Sequence, residues 1–158
     1  MFYGGRLLSG LSATDPEVDD FISLRRINRW MIVVMDSDRS RKYQALNDTK
    51  IRIQKEYQRA DTPGHAWVTD GREIENYIPH VILETSVKEI YGKEILLPHY
   101  NKYGQPLPKR LKDGQRIDKI KVAREVAAIT AAVPEILDLR LELKRLVSFV
   151  RDANAHSR

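Results

Sequence analysis

The chain has 158 residues, with 27 Lys and Arg against 22 Asp and Glu for a net charge of +5. Its 42% hydrophobic content supports one buried core and excludes a disordered chain, which lacks the apolar surface to offset the entropy of ordering. No apolar run approaches the ~18 residues of a membrane span. The start lacks a signal peptide's regions, and the absence of cysteine excludes disulfides, thiolate catalysis and Cys-based zinc sites.

In chain order, a scrap of strand at Phe2–Tyr3 precedes a helix predicted over Glu17–Asn28, with Asp15 as N-cap and Pro16 in the first position. Val18, Phe21, Ile22 and Leu24 or Arg25 form its apolar face. The run Trp30–Met35 is continuously apolar and stops at Asp36, as a buried strand of a parallel sheet would. Residues 40–60 read as mostly helical, with Ile51, Ile53 and Tyr57 inward, before a loop at Asp61–Gly64. His65–Thr69 is a short second strand ending at Asp70-Gly71.

A helix is expected from Pro79 to Tyr91, then an irregular stretch over 92–114 holding Pro98, Pro106 and Pro108. Two helices close the chain. Gln115–Thr130 has Ile117, Ile120, Ala127 and Ala128 inward; Pro134–Val150 carries a stripe of Ile136, Leu139, Leu143, Leu146, Val147 and Val150. The resulting organisation is an α/β core with the acidic site over 1–91, a loop over 92–115, a helical part over 116–152 packing on the same domain, and a flexible tail over 153–158.

In such folds the ligand site lies beyond the carboxyl ends of the strands. Asp36-Ser37-Asp38 leaves the first strand, and in extended backbone both carboxylates face the same side. Paired hard oxygen ligands suit Mg²⁺ or Mn²⁺; the bland alternative is turn chemistry. The second strand leads to Asp70, Glu73 and Glu75. If that segment is extended, Glu73 and Glu75 face one side; if helical, they diverge by ~200° and one at most reaches the site.

Basic residues cluster in two places, Arg25, Arg26, Arg29, Arg39, Arg41 and Lys42, and then Lys109, Arg110, Lys112, Arg116, Lys119, Lys121 and Arg124. These suit a phosphate-rich partner or a merely solvated face. The four histidines are scattered without zinc spacing, and no G-x-S-x-G elbow supports a serine nucleophile. Most aromatic residues read as core; Tyr100 and Tyr103, in the long loop, could instead stack on bases.

The string WMIVVMDSDR followed by GREIENYIP, with FYGGR before and KVAREVA after, resembles the C-terminal TOPRIM domain of the OLD (overcoming lysogenization defect) family of ATP-linked nucleases. The likeness runs from Phe2 to Val126. It implies a TOPRIM-like, mainly parallel sheet flanked by helices, with a helical C-terminal extension, and a divalent-metal-dependent DNA endonuclease that nicks or cuts.

Carried over, it makes Asp36 and Asp38 metal ligands and Glu75, with Glu73 as second choice, a further ligand. Lys121 becomes the lysine at the scissile phosphate. Arg39 and Arg72 would help hold the DNA phosphate or else pair with the neighbouring carboxylates, and Arg41 and Lys42 of the basic cluster are further phosphate candidates. A complete site of this kind takes two ions.

The resemblance also implies DNA as partner, an OLD-type ATPase domain or chain, room for a homo-oligomer, and a setting in phage defence or DNA processing; the lack of an apolar span, signal-peptide regions and cysteine leads to a cytoplasmic expectation. Only 35 residues precede Asp36, too few for the first strand–helix unit that supplies a strand-end Glu in TOPRIM domains. No GxxxxGK[ST] occurs, so no ATP site is expected in this chain. The expectation is a fragment or one part of a split protein. The rival reading is a non-catalytic nucleic-acid-binding or assembly module whose carboxylates serve as caps and ion-pair partners.

Overall fold

The computed structural model describes residues 30–59, 63–92, 96–97 and 100–156. The strand at Phe2–Tyr3, the helix over 17–28 and the basic residues Arg25, Arg26 and Arg29 lie outside the described residues.

The apolar run after Trp30 forms β1 (Met31–Met35), and the run after Pro63 forms β2 (Gly64–Val68). They pair in parallel, Met31 opposite Gly64 through Met35 opposite Val68. Parallel neighbours need a crossover, and helix α1 (Asp48–Arg59) lies between them in the chain and packs on β2. Gly64 permits the close approach: a Cβ there would sit 2.8 Å from Tyr57 Cε1 and 2.9 Å from the Met31 carbonyl oxygen.

A 3-10 turn (Ile74–Tyr77) leads to Pro79 and α2 (His80–Tyr91), which ends on Gly92 in the left-handed conformation with φ 64°. Helices α3 (Lys119–Ile129) and α4 (Leu139–His156) follow. The main core joins Leu83 and Val87 of α2 to Val122 of α3 through Leu97, Leu107, Leu111 and Ile117 of the connecting segment. Each of these fully buried aliphatic side chains contributes roughly 1.5–3 kcal/mol of burial. The architecture is α/β, with four helices and a two-stranded parallel sheet among the described residues. Among them no helix is long and apolar enough to cross a membrane.

Several expectations are corrected. The helix expected over 40–60 begins only at Asp48. The Asn47 side chain accepts the Lys50 N–H at 2.9 Å, its carbonyl accepts that of Ile51 at 3.1 Å, and Gln44 folds the preceding turn by accepting from Ser40. Strand β1 is half-buried, with Val34 46% exposed.

The segment over 92–115 is irregular as expected but supplies four core residues, Leu97, Pro106, Leu107 and Leu111. Helix α3 starts at Lys119 because Asp118 caps it, accepting from the N–H groups of Ile120 (2.9 Å) and Lys121 (3.2 Å). That phase turns Val122 and Val126 to the core and leaves Ile120 67% exposed, with Ala127 and Ala128 also outward.

Along α4 the inward face holds Glu142, Leu146 and Phe149, while Val147 and Val150 of the expected stripe are nearly half exposed. The helix also continues to His156, through most of the expected tail.

Candidate metal centre

Past the sheet, the ends of β1 and β2 remain stitched together. Thr69 N–H donates to the Met35 carbonyl at 3.0 Å, and Ser37 N–H donates to Thr69 Oγ1 at 2.8 Å. The Ser37 and Thr69 hydroxyls both donate to the Gly71 carbonyl, at 2.6 and 2.8 Å, and Asp38 N–H reaches the Arg72 carbonyl at 2.9 Å. Ser37, Thr69 and Gly71 are buried. This ladder brings the acidic exits of both strands to one edge.

Asp36 Oδ1 accepts the Ile74 N–H at 2.8 Å, tying the first strand's exit to the 3-10 turn. Its carboxyl is pushed from the ordinary 3.8 up to about 6, chiefly by burial, against the Ile74 hydrogen bond and with the charges of Glu75, Asp38 and Glu73 adding to the rise. All four carboxylates therefore share one electrostatic site. Glu73 stands extended before the turn, and Glu75 lies in its first turn.

Both reach the same cation. The Lys119 ammonium is 2.7 Å from Glu73 Oε2 and 2.7 Å from Glu75 Oε1. Burial pulls this ammonium down, but its hydrogen bonds to the two glutamates outweigh that and hold Lys119 above its usual value.

The segment is thus neither fully extended nor α-helical, and both glutamates reach the site. Glu75 Oε2 is buried without a hydrogen-bond partner. Asp38, at φ 55° in the left-handed region, pairs with Lys50, whose side chain is only 3% exposed.

The phosphate-binding candidates divide. Arg39 and Arg72 flank the cluster, each with a buried Nε lacking a hydrogen-bond partner; Arg72 Nε lies 3.9 Å from Glu73 Oε1. Arg41 and Lys42 are exposed, Lys42 over the Tyr43 ring at 5.1 Å. The Lys121 side chain is exposed, and Lys119 is the lysine that stands against the carboxylates. With Asp118 at the cap, positions 119 and 121 differ by ~200° around the helix, so one lysine at most faces the glutamates.

Asp70 is drawn elsewhere, pairing with Lys102 at 2.8 Å, while its N–H donates to the Tyr77 hydroxyl, which donates to Asp138. Tyr100 is held by its own hydroxyl bond to the Ile78 carbonyl (3.3 Å) and by His80 at 5.6 Å between rings.

Sequence reasoning missed Lys50, Lys119, Ser37 and Thr69. Both lysines fall in the first turn of a helix, where the dipole disfavours a cation unless a specific anion offsets it, a signal that the true helix starts at Asp48 and Lys119 expose. Among the described residues no three His, Asp or Glu side chains stand assembled as a ligand shell, and Lys50 and Lys119 engage three of the four carboxylates. No family model, curated protein or solved structure matches the chain.

Proposed function

We propose that this chain is a TOPRIM-like domain of the OLD type, serving divalent-cation-dependent DNA cleavage. The observation that carries it is the gathering of Asp36, Asp38, Glu73 and Glu75 from two parallel strand exits onto one edge, with Asp36 pushed up to about 6 and a Glu75 oxygen buried without a partner. Hard carboxylate oxygens that repel one another and lack a full set of partners fit Mg²⁺ or Mn²⁺.

Asp36, Asp38 and Glu75 would hold the ion, with Glu73 adjacent. Bound there, it supplies activation of water and charge stabilisation at a phosphodiester. The chain's own part is positional. Arg39 and Arg72 offer guanidinium N–H groups to the phosphate, and Lys119 brings its ammonium to where negative charge develops. Phage defence or DNA processing is the setting this reading carries.

The rival, a non-catalytic binding module, draws on one observation: Lys50 and Lys119 already neutralise three carboxylates from within. Supercoiled plasmid with Mn²⁺ or Mg²⁺ separates the two. Cleavage that Asp36→Asn abolishes, with fold and DNA binding retained, supports the nuclease. DNA binding indifferent to metal, with no nicking by the chain, supports the module.

A further inference from the structure

Three lysines are held in ion pairs: Lys50 to Asp38, Lys102 to Asp70, and Lys119 to Glu73 and Glu75. A second group is not. Between Lys109 and Arg124 the chain places seven Lys and Arg against two Asp, a local excess equal to the net charge of the whole molecule. Lys109, Arg110, Lys112, Arg116, Lys121 and Arg124 are all exposed, and none forms an ion pair with a described carboxylate.

The first four sit on a small hairpin rather than a loose loop. Ile117 N–H donates to the Lys109 carbonyl (3.2 Å), Leu111 N–H to that of Gln115 (2.8 Å), and Gly114 N–H to that of Leu111 (2.9 Å), with Arg110 and Arg116 paired antiparallel. Gly114 makes the reversal at φ 86°.

The hairpin is also anchored. Leu107, Leu111 and Ile117, each at most 7% exposed, lock its base into the core with Leu83, Val87 and Val122. Its far end joins Asp118 and then Lys119, whose ammonium touches the acidic site. Four cations without an ion pair among the described residues, Arg110 also donating to the Gly114 carbonyl at 2.9 Å, therefore stand on a fixed support that leads to the carboxylate edge.

We propose that the Lys109–Ile117 hairpin is an arm that grips the DNA phosphate backbone and holds the strand against the acidic edge; this rests on the DNA-cleavage reading above. Phosphate is the fitting partner because each cation that neutralises one releases condensed counterions, without any need for apolar contact. A lipid surface fits poorly. A membrane-seeking loop presents apolar residues at its tip, whereas the one apolar residue between Lys109 and Arg116, other than the turn glycine, is Leu111, and it points into the core.

The test uses the full chain with EDTA present, a short labelled DNA duplex, and anisotropy titrations between about 50 and 200 mM salt. The arm variant combines Lys109→Gln, Arg110→Gln, Lys112→Gln and Arg116→Gln; Lys144→Gln with Arg151→Gln, on α4, is the control. The arm variant should keep its thermal transition, lose affinity at least about tenfold, and flatten the slope of log K against log salt by about 3. The control should bind as the parent does.

An unchanged slope in the arm variant overturns the proposal, as does an equal loss in the control. So does a parent chain that ignores duplex but sediments with phosphatidylserine vesicles. A parallel assay of the parent chain for Mn²⁺-dependent plasmid nicking keeps the two readings apart. Failure of the cleavage reading appears there as a lack of nicking, whereas failure of the arm appears in the salt titration.

Discussion

Replacing Asp36 by Asn tests the electrostatics of the carboxylate edge without metal or substrate. The amide retains the oxygen that accepts the Ile74 N–H and removes the charge facing Glu75, Asp38 and Glu73. Raising this carboxyl from 3.8 to about 6 corresponds to ~3 kcal/mol against its charged form in the fold, at about 1.4 kcal/mol per tenfold change. Solvent at the rim of the site reduces that to about 1–2 kcal/mol.

The sign follows from proton linkage. Between about pH 4 and 6 the native state binds more protons at Asp36 than the unfolded chain, so its contribution to stability falls as pH rises through that window. Asp36→Asn should therefore stabilise the metal-free protein by about 1–2 kcal/mol near pH 8, and this gain should vanish near pH 4. Urea unfolding at both pH values reads the difference. A variant less stable near pH 8, or equally shifted at both, would refute the reasoning.

Other outcomes follow from the same edge. Lys119→Met should slow metal-dependent nicking by about 10²–10³, whereas Lys121→Met, on the exposed surface, should change stability by less than about 0.5 kcal/mol and leave nicking near the parent rate. Asp38→Asn leaves the buried Lys50 ammonium without its anion and should cost about 1–2 kcal/mol in urea unfolding. Asp38→Ala should cost about 1 kcal/mol more, because Asn tolerates φ 55° and Ala does not. Gly71→Ala would place a methyl 2.7 Å from Asn76 Cβ and 3.1 Å from Leu137 Cδ1. It should destabilise the fold by about 1–3 kcal/mol and weaken cation binding measured by calorimetry, because Asn76 holds the turn that carries Glu75.

The strand exits were legible because an apolar run that stops at a carboxylate has few structural readings; β1 and β2 fall within a residue of expectation. Helix α2 was equally plain, bounded by Pro79 and Gly92. Helix α3 starts at Lys119, capped by Asp118, rather than at Gln115, and it is Lys119 that stands against Glu73 and Glu75. Tertiary contacts decided the rest. Nothing local shows that Thr69 and Ser37 would lace two strand ends together, or that Leu97, Leu107 and Leu111 would turn a proline-rich stretch into core. Those leucines lack periodicity, so their burial rests on the α2–α3 face they meet.

Calorimetric titration of Mn²⁺ into the full chain, beside Asp36→Asn, Glu75→Gln and Lys121→Met, bears most directly on the carboxylate edge as a cation site. The parent and Lys121→Met should show saturable binding, and Asp36→Asn and Glu75→Gln should lose it while remaining folded. No saturable binding by the parent, or binding that survives both carboxylate substitutions, would contradict it.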